Sequence, residues 1–233
     1  MVPVEVTVST WKRNSVQPSE ARGRALMLPG TGYTCDRPLL YWAAQALVES
    51  NWRVDRMSLR NTADDLAQVT PVINASIDAW VDEAKQQSAS GNPRLLLIAK
   101  SLTTLTYPHV AVTHQLPFVL LTPVLHHADF DPSVSIIPTG NHDGHILPET
   151  DSTAEAAEAA GAIALPYPGP APLICAGTAD PFYDRQRALR ITPHVHEYPD
   201  ANHSIEVPGH WRRSLDYLKE VTASVQQYAG AIA

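Results

Sequence analysis

Valines alternate with polar residues from Val4 to Ser9, the period-two pattern of a strand with one buried face. A short apolar run from Arg24 to Leu28 stops at Pro29-Gly30 and predicts a second strand. After the turn Thr31-Gly32-Tyr33, Leu40, Ala43, Ala44 and Leu47 recur on one helical face, with Asp36 placed to cap that helix and Pro38 in its first turn. Trp52 to Leu59 predicts a third strand. From Pro71, Ile73, Ile77, Trp80 and Ala84 keep helical spacing until Ser88 to Pro93 breaks it. The runs Leu95-Leu96-Leu97-Ile98 and Phe118-Val119-Leu120-Leu121 are continuously apolar, as strands covered on both faces must be. Pro172 to Ala176 and His194 to Tyr198 are later strands. A terminal amphipathic helix follows from Gly209, carrying Trp211, Leu215, Leu218, Val221, Val225 and Tyr228.

Strands alternating with helices imply an α/β protein built on a doubly wound, mostly parallel sheet with helices on both faces. Between about 126 and 170 the pattern loosens. Six prolines interrupt it and only Ala154 to Ala164 has helical character, so this stretch is expected to be a loop or short lid inside a single domain spanning 1–233. A chain of 233 residues, 44% hydrophobic and 18% charged, is long and apolar enough to bury one large core. Its formal net charge of −7, with no Lys/Arg run, argues against a nucleic-acid partner. The start Met1 to Thr10 has neither a basic n-region nor an apolar h-region, and no run reaches membrane-spanning length, so a cytoplasmic protein without membrane contact is expected. Cys35 and Cys175 are the two cysteines; Cys175 lies in the apolar run Leu173 to Ala176, where a buried free thiol is the usual state. The apolar face of the terminal helix serves equally for a core or a partner, leaving monomer and homodimer open.

A serine that follows a buried strand and opens a helix is either a helix cap or a nucleophile held above the sheet on a sharp turn. Ser101 occupies such a position, in Ala99-Lys100-Ser101-Leu102-Thr103. This segment resembles the nucleophile elbow of the α/β-hydrolase superfamily, usually Gly-x-Ser-x-Gly, with Ala99 and Thr103 in place of the two glycines. The turn after Leu173 to Ala176, Gly177-Thr178-Ala179-Asp180-Pro181, is similar to the one that carries the family's acid, which the resemblance places at Asp180; Asp184 is the local competitor. The loop Pro199-Asp200-Ala201-Asn202-His203-Ser204 is similar to the one that carries the base. Among ten histidines, His203 completes the chain order serine, acid, histidine with a strand before it and a helix after. Leu26 to Tyr33 resembles the early loop that supplies half of an oxyanion hole. The resemblance implies backbone N–H donors from Thr31, with Gly32 as the fallback, and from Leu102.

The implied function is a serine hydrolase that cleaves a carboxylic ester or thioester of a small molecule through an acyl-enzyme, with no cofactor. The alternative, from the altered elbow, is a non-hydrolytic, lyase-like or catalytically silent binding member of the same superfamily. A dinucleotide-binding module is disfavoured because no Gly-x-Gly-x-x-Gly follows the early strands. Lys100 stands beside Ser101, where a cation would attract an anionic substrate or perturb His203, but the favoured reading is a solvent-facing lysine at a loop end. His126, His127, His142, Asp143 and His145 complete no familiar ligand spacing, so no metal is expected there; Tyr33 or one of those histidines would instead reach a substrate if the 126–170 stretch folds over the site.

Overall fold

The computed structural model describes residues 4–60, 66–88, 91–125, 136–137, 145–146 and 165–232. Its strands are β1 (Glu5–Thr10), β2 (Gly23–Leu28), β3 (Trp52–Arg60), β4 (Leu95–Lys100), β5 (Phe118–Leu121), the short pair β6 (Ile136–Ile137) and β7 (His145–Ile146), β8 (Leu173–Gly177) and β9 (Val195–Tyr198). The helices are α1 (Pro38–Glu49), α2 (Leu66–Gln87), α3 (Tyr107–Thr113), α4 (Arg185–Ile191) and α5 (Trp211–Ala231), and a 3₁₀ segment, Ser101–Thr106, leads into α3.

Seven strands form one sheet in the order β1-β3-β2-β4-β5-β8-β9. Edge strand β1 runs antiparallel to β3, and every other neighbouring pair is parallel. Side chains of the central strands alternate between two cores. Leu97, Ala99, Phe118, Leu120 and Ile174 face α2, α3 and α4, whereas Leu96, Ile98, Val119, Leu121 and Cys175 face α1 and α5. Both faces are therefore covered, which is why these strands read as unbroken apolar runs. The chain moves from β2 to β3 through α1 on one face, then returns past β2 to β4 through α2 on the other. The strand order thus reverses between β2 and β4, and in open α/β sheets the crevice at such a switch point is where ligands gather.

Several local expectations are corrected. Asp36 does not cap α1: the N-cap is Arg37, which makes no side-chain capping bond, while Asp36 pairs with Arg56 at 3.1 Å. Helix α2 begins before Pro71 and carries that proline within it. Trp211 and Leu215 are exposed, so the buried stripe of α5 starts later and runs through Val221, Val225 and Ala229. Helix α4 was not anticipated, and its N-cap is Asp184, whose carboxylate accepts the Arg187 N–H at 2.9 Å. Both cysteines are free and buried, and burial pushes each thiol up to about 12. Most of the 126–170 stretch, including the expected helix from Ala154 to Ala164, lies outside the described residues, apart from the β6–β7 ladder and 165–170. No helix among the described residues is long and apolar enough to cross a membrane.

Candidate active site

Because β2, β4, β8 and β9 are parallel, the loops that follow them open at one edge of the sheet. Ser101 follows β4 directly, with φ of 55°. A non-glycine residue in this left-handed region is strained by about 1–2 kcal/mol, and the strain turns the chain sharply enough to lift the hydroxyl above the sheet. The residues after it hold the turn. The hydroxyls of Thr104 and Thr106 donate to the carbonyls three positions back, Ser101 O at 2.6 Å and Thr103 O at 2.7 Å, the spacing of a 3₁₀ turn. Thr103, where the family pattern has glycine, keeps its hydroxyl within 3.2 Å of both Leu28 O and Lys100 O and accepts the Lys100 N–H at 3.3 Å. The buried Thr103 side chain thereby links the ends of β2 and β4, so this departure from the motif is accommodated. Ala99, at the other glycine position, is fully buried.

Asp180 and His203 come from the turns after β8 and β9, and these two turns are bonded to each other. Thr178 N–H donates to Tyr198 O, Ala179 N–H to Ala201 O at 2.9 Å, and Asp200 N–H to the Thr178 hydroxyl at 2.9 Å. The approach is so close that a Cβ on Gly177 would collide with the Ala201 carbonyl. Asn202 shapes the turn that presents His203, its side-chain oxygen accepting from Ser204 N at 2.8 Å and Glu206 N at 3.1 Å. His203 Nδ1 lies 2.7 Å from Asp180 Oδ2 and Nε2 lies 2.8 Å from Ser101 Oγ. Asp180 is buried, and its other oxygen accepts the Phe182 N–H at 2.9 Å. The Phe182 ring stands edge-on to His203 at 5.1 Å. The structure therefore brings Ser101, His203 and Asp180 into one hydrogen-bonded line and leaves Asp184 out of it.

On the side of the early loop, Gly30 and Tyr33 pair backbone to backbone and close a tight turn, with Gly32 at φ of 63° and Thr31 exposed at its tip. Gly30 passes so near the elbow that a Cβ there would sit 3.0 Å from Ser101 Cβ and 3.1 Å from Lys100 O. Leu102 is the second residue of the 3₁₀ segment, where a backbone N–H has no acceptor within its own turn.

Lys100 corrects the expectation of a solvent-facing side chain. It is 2% exposed; its ammonium donates to His203 O at 3.1 Å and sits 4.6 Å above the Tyr33 ring. Burial pushes its pKa down to about 8, against the pull of Asp180 toward the charged form. Tyr33 in turn is fixed by its phenol oxygen, which accepts the Leu39 N–H at 3.0 Å at the start of α1. Tyr33 is thus held as packing for Lys100. His126, His127, His142 and Asp143 lie outside the described residues, and His145 falls in β7. Sequence reasoning missed Asn202 and Thr178 and misjudged the burial of Lys100; the signal for the first two was their place in short turns joining strand ends to the acid and base.

No protein-family model and no curated protein matches the sequence. Solved structures do match the fold. A lidless α/β serine hydrolase from Xanthomonas campestris aligns with 97% of this chain and 89% of its own, at TM-score 0.55 and 16% identity. Est1E from Butyrivibrio proteoclasticus, also solved with ferulic acid bound, aligns with 98% of this chain and 94% of its own, at TM-score 0.59 and 14% identity. Esterase 2 of Thermogutta terrifontis aligns with 95% and 90%, at TM-score 0.55 and 13% identity. The chain therefore has the α/β-hydrolase fold that its motifs implied.

Proposed function

We propose that the protein is a serine hydrolase that cleaves a carboxylic ester or thioester of a small molecule. The observation that carries this reading is the line Ser101 Oγ to His203 Nε2 at 2.8 Å and His203 Nδ1 to Asp180 Oδ2 at 2.7 Å, on a serine held in the left-handed region. His203 takes the Ser101 proton as Oγ adds to the substrate carbonyl carbon, and then gives that proton to the departing alcohol or thiol. Asp180, acceptor-only while ionised, keeps the proton on Nδ1 and stabilises the imidazolium. The backbone N–H groups of Leu102 and Thr31 receive the oxyanion, a contribution of about 3 kcal/mol per donor in sites of this kind. Water, activated by His203 in the second half, releases the acid and restores Ser101.

Lys100 enters through His203, not through substrate. Its ammonium grips the carbonyl of the base itself while its stem lies beside Gly30, so it ties the histidine loop to the elbow. An esterase and a structure carrying ferulic acid among the neighbours support an ester of a carboxylic acid as the first class to test. Purified protein should hydrolyse members of a panel of short-chain and aromatic p-nitrophenyl esters and acyl thioesters, and Ser101→Ala should remove that turnover. A folded protein that turns over no member of the panel would favour the silent or lyase-like reading instead.

A further inference from the structure

A second group of chemistry-bearing side chains lies away from the Ser101 edge, where α2 packs beside α3. Asp78 comes from the middle of α2, His109 from α3 and His114 from the C-cap position that follows α3. His109 Nε2 lies 2.8 Å from Asp78 Oδ1, and His114 Nε2 lies 2.6 Å from the same oxygen. The three donor atoms fall within 4.8 Å of one another. Asp78 is separated from the two histidines by 31 and 36 positions of sequence, so this convergence is a product of the fold. The C-terminal end of α3 is fixed: His114 and Gln115 N–H both donate to Val110 O at 2.9 Å, with Gln115 in the left-handed region at φ of 54°. Gly169 packs against Gln115 from outside, its place for a Cβ only 3.0 Å from Gln115 Cα. His114 is therefore aimed by backbone that cannot easily turn.

We propose that Asp78, His109 and His114 form a binding site for one divalent first-row transition metal, with zinc the ion tested first. Two imidazole nitrogens and one carboxylate oxygen suit zinc, cobalt, nickel or copper, whereas calcium and magnesium require mostly oxygen donors. Zinc ligands stand about 2.0–2.2 Å from the ion, which places tetrahedral donors about 3.3 Å apart. The present nitrogen–oxygen separations need open by only about half an ångström to admit it. Side-chain exposures of 38% for Asp78 and 29% for His109 leave the remaining coordination position open to water, while His114, at 9%, is the anchored ligand. Since α3 continues directly from the 3₁₀ segment that Ser101 opens, a bound ion would tie α2 to the helix behind the elbow. This inference does not depend on the hydrolase reading.

The test uses the whole chain, stripped of metal by chelator and then titrated with zinc chloride, read by calorimetry and by unfolding temperature, with magnesium chloride in parallel. One equivalent of zinc should bind and raise the unfolding temperature, and magnesium should do neither. His109→Ala and Asp78→Asn should each weaken zinc at least tenfold, and His203→Ala should leave this event intact. In wild type, cobalt should give visible absorption of a low-coordinate nitrogen and oxygen site that His109→Ala removes. Absence of zinc binding by wild type, equal stabilisation by magnesium, or zinc binding undiminished in His109→Ala would overturn the site. His109 is partly exposed, so that variant keeps the test decisive even if His114 variants fail to fold.

Discussion

Asp180 and Asp78 both hold imidazole nitrogens at hydrogen-bond distance, yet the two arrangements differ in burial and in geometry, and different chemistry is proposed for each. At Asp180 the carboxylate is buried, a single imidazole stands against it, and the far nitrogen of that ring is aimed at a hydroxyl. At Asp78 the carboxylate is half-exposed and two imidazoles converge on one oxygen. A line of three groups suits the passage of a proton along it, whereas two nitrogens and an oxygen gathered close together suit a cation. The difference comes from the backbone. Asp180 and His203 sit on turns bonded to each other at the ends of parallel strands, and Ser101 on a strained turn; Asp78, His109 and His114 sit on and beside two packed helices.

The largest effects are expected at Ser101 and His203. Ser101→Ala and His203→Ala should each lower kcat/KM by about 10³-fold or more, measured on whichever ester is turned over, with the fold retained by circular dichroism. Asp180→Asn, which keeps shape but loses the charge that selects the tautomer, should cost about 10²–10⁴-fold in kcat. Gly177→Ala should act differently, through stability. The collision with Ala201 should lower the urea unfolding free energy by about 3 kcal/mol or more and pull the acid and base loops apart.

Lys100 offers a smaller and pH-dependent effect. Its native pKa of about 8 lies below the ordinary lysine value, so between the two the unfolded chain holds a proton that the folded chain has released. Stability contributed by this group therefore rises with pH across that window, by about 2 kcal/mol between pH 7 and 9.5. Urea denaturation of wild type and Lys100→Met should show the difference between them shifting in favour of wild type by that amount, and a flat difference would contradict the burial of this ammonium. Smallest of all, His109→Ala in metal-free protein should leave kcat/KM within about twofold and cost about 1 kcal/mol or less of stability, since it removes one half-exposed pair.

The centre of the sheet was legible because its strands are covered on both faces and so carry long apolar runs, as Leu95 to Ile98 and Phe118 to Leu121 illustrate. Ser101, Asp180 and His203 could be picked out because each follows a strand end in a fixed chain order. Lys100 could not. A lysine at the end of a strand reads as solvated, and its burial depends on Tyr33 and on the His203 carbonyl, groups 67 and 103 positions away. The Asp78 group escaped for the same reason, since no local spacing joins α2 to α3. Trp211 and Leu215 misled in the other direction, because helical periodicity records which residues share a face and not where along α5 the core begins.

Whether Ser101 is an activated nucleophile is decided by treating purified wild-type protein with a fluorophosphonate and mapping the adduct by mass spectrometry. A single adduct on Ser101 is expected, one that disappears in Ser101→Ala and is strongly slowed in folded His203→Ala. A folded wild-type protein that takes no label, or takes it elsewhere, would contradict that role for Ser101.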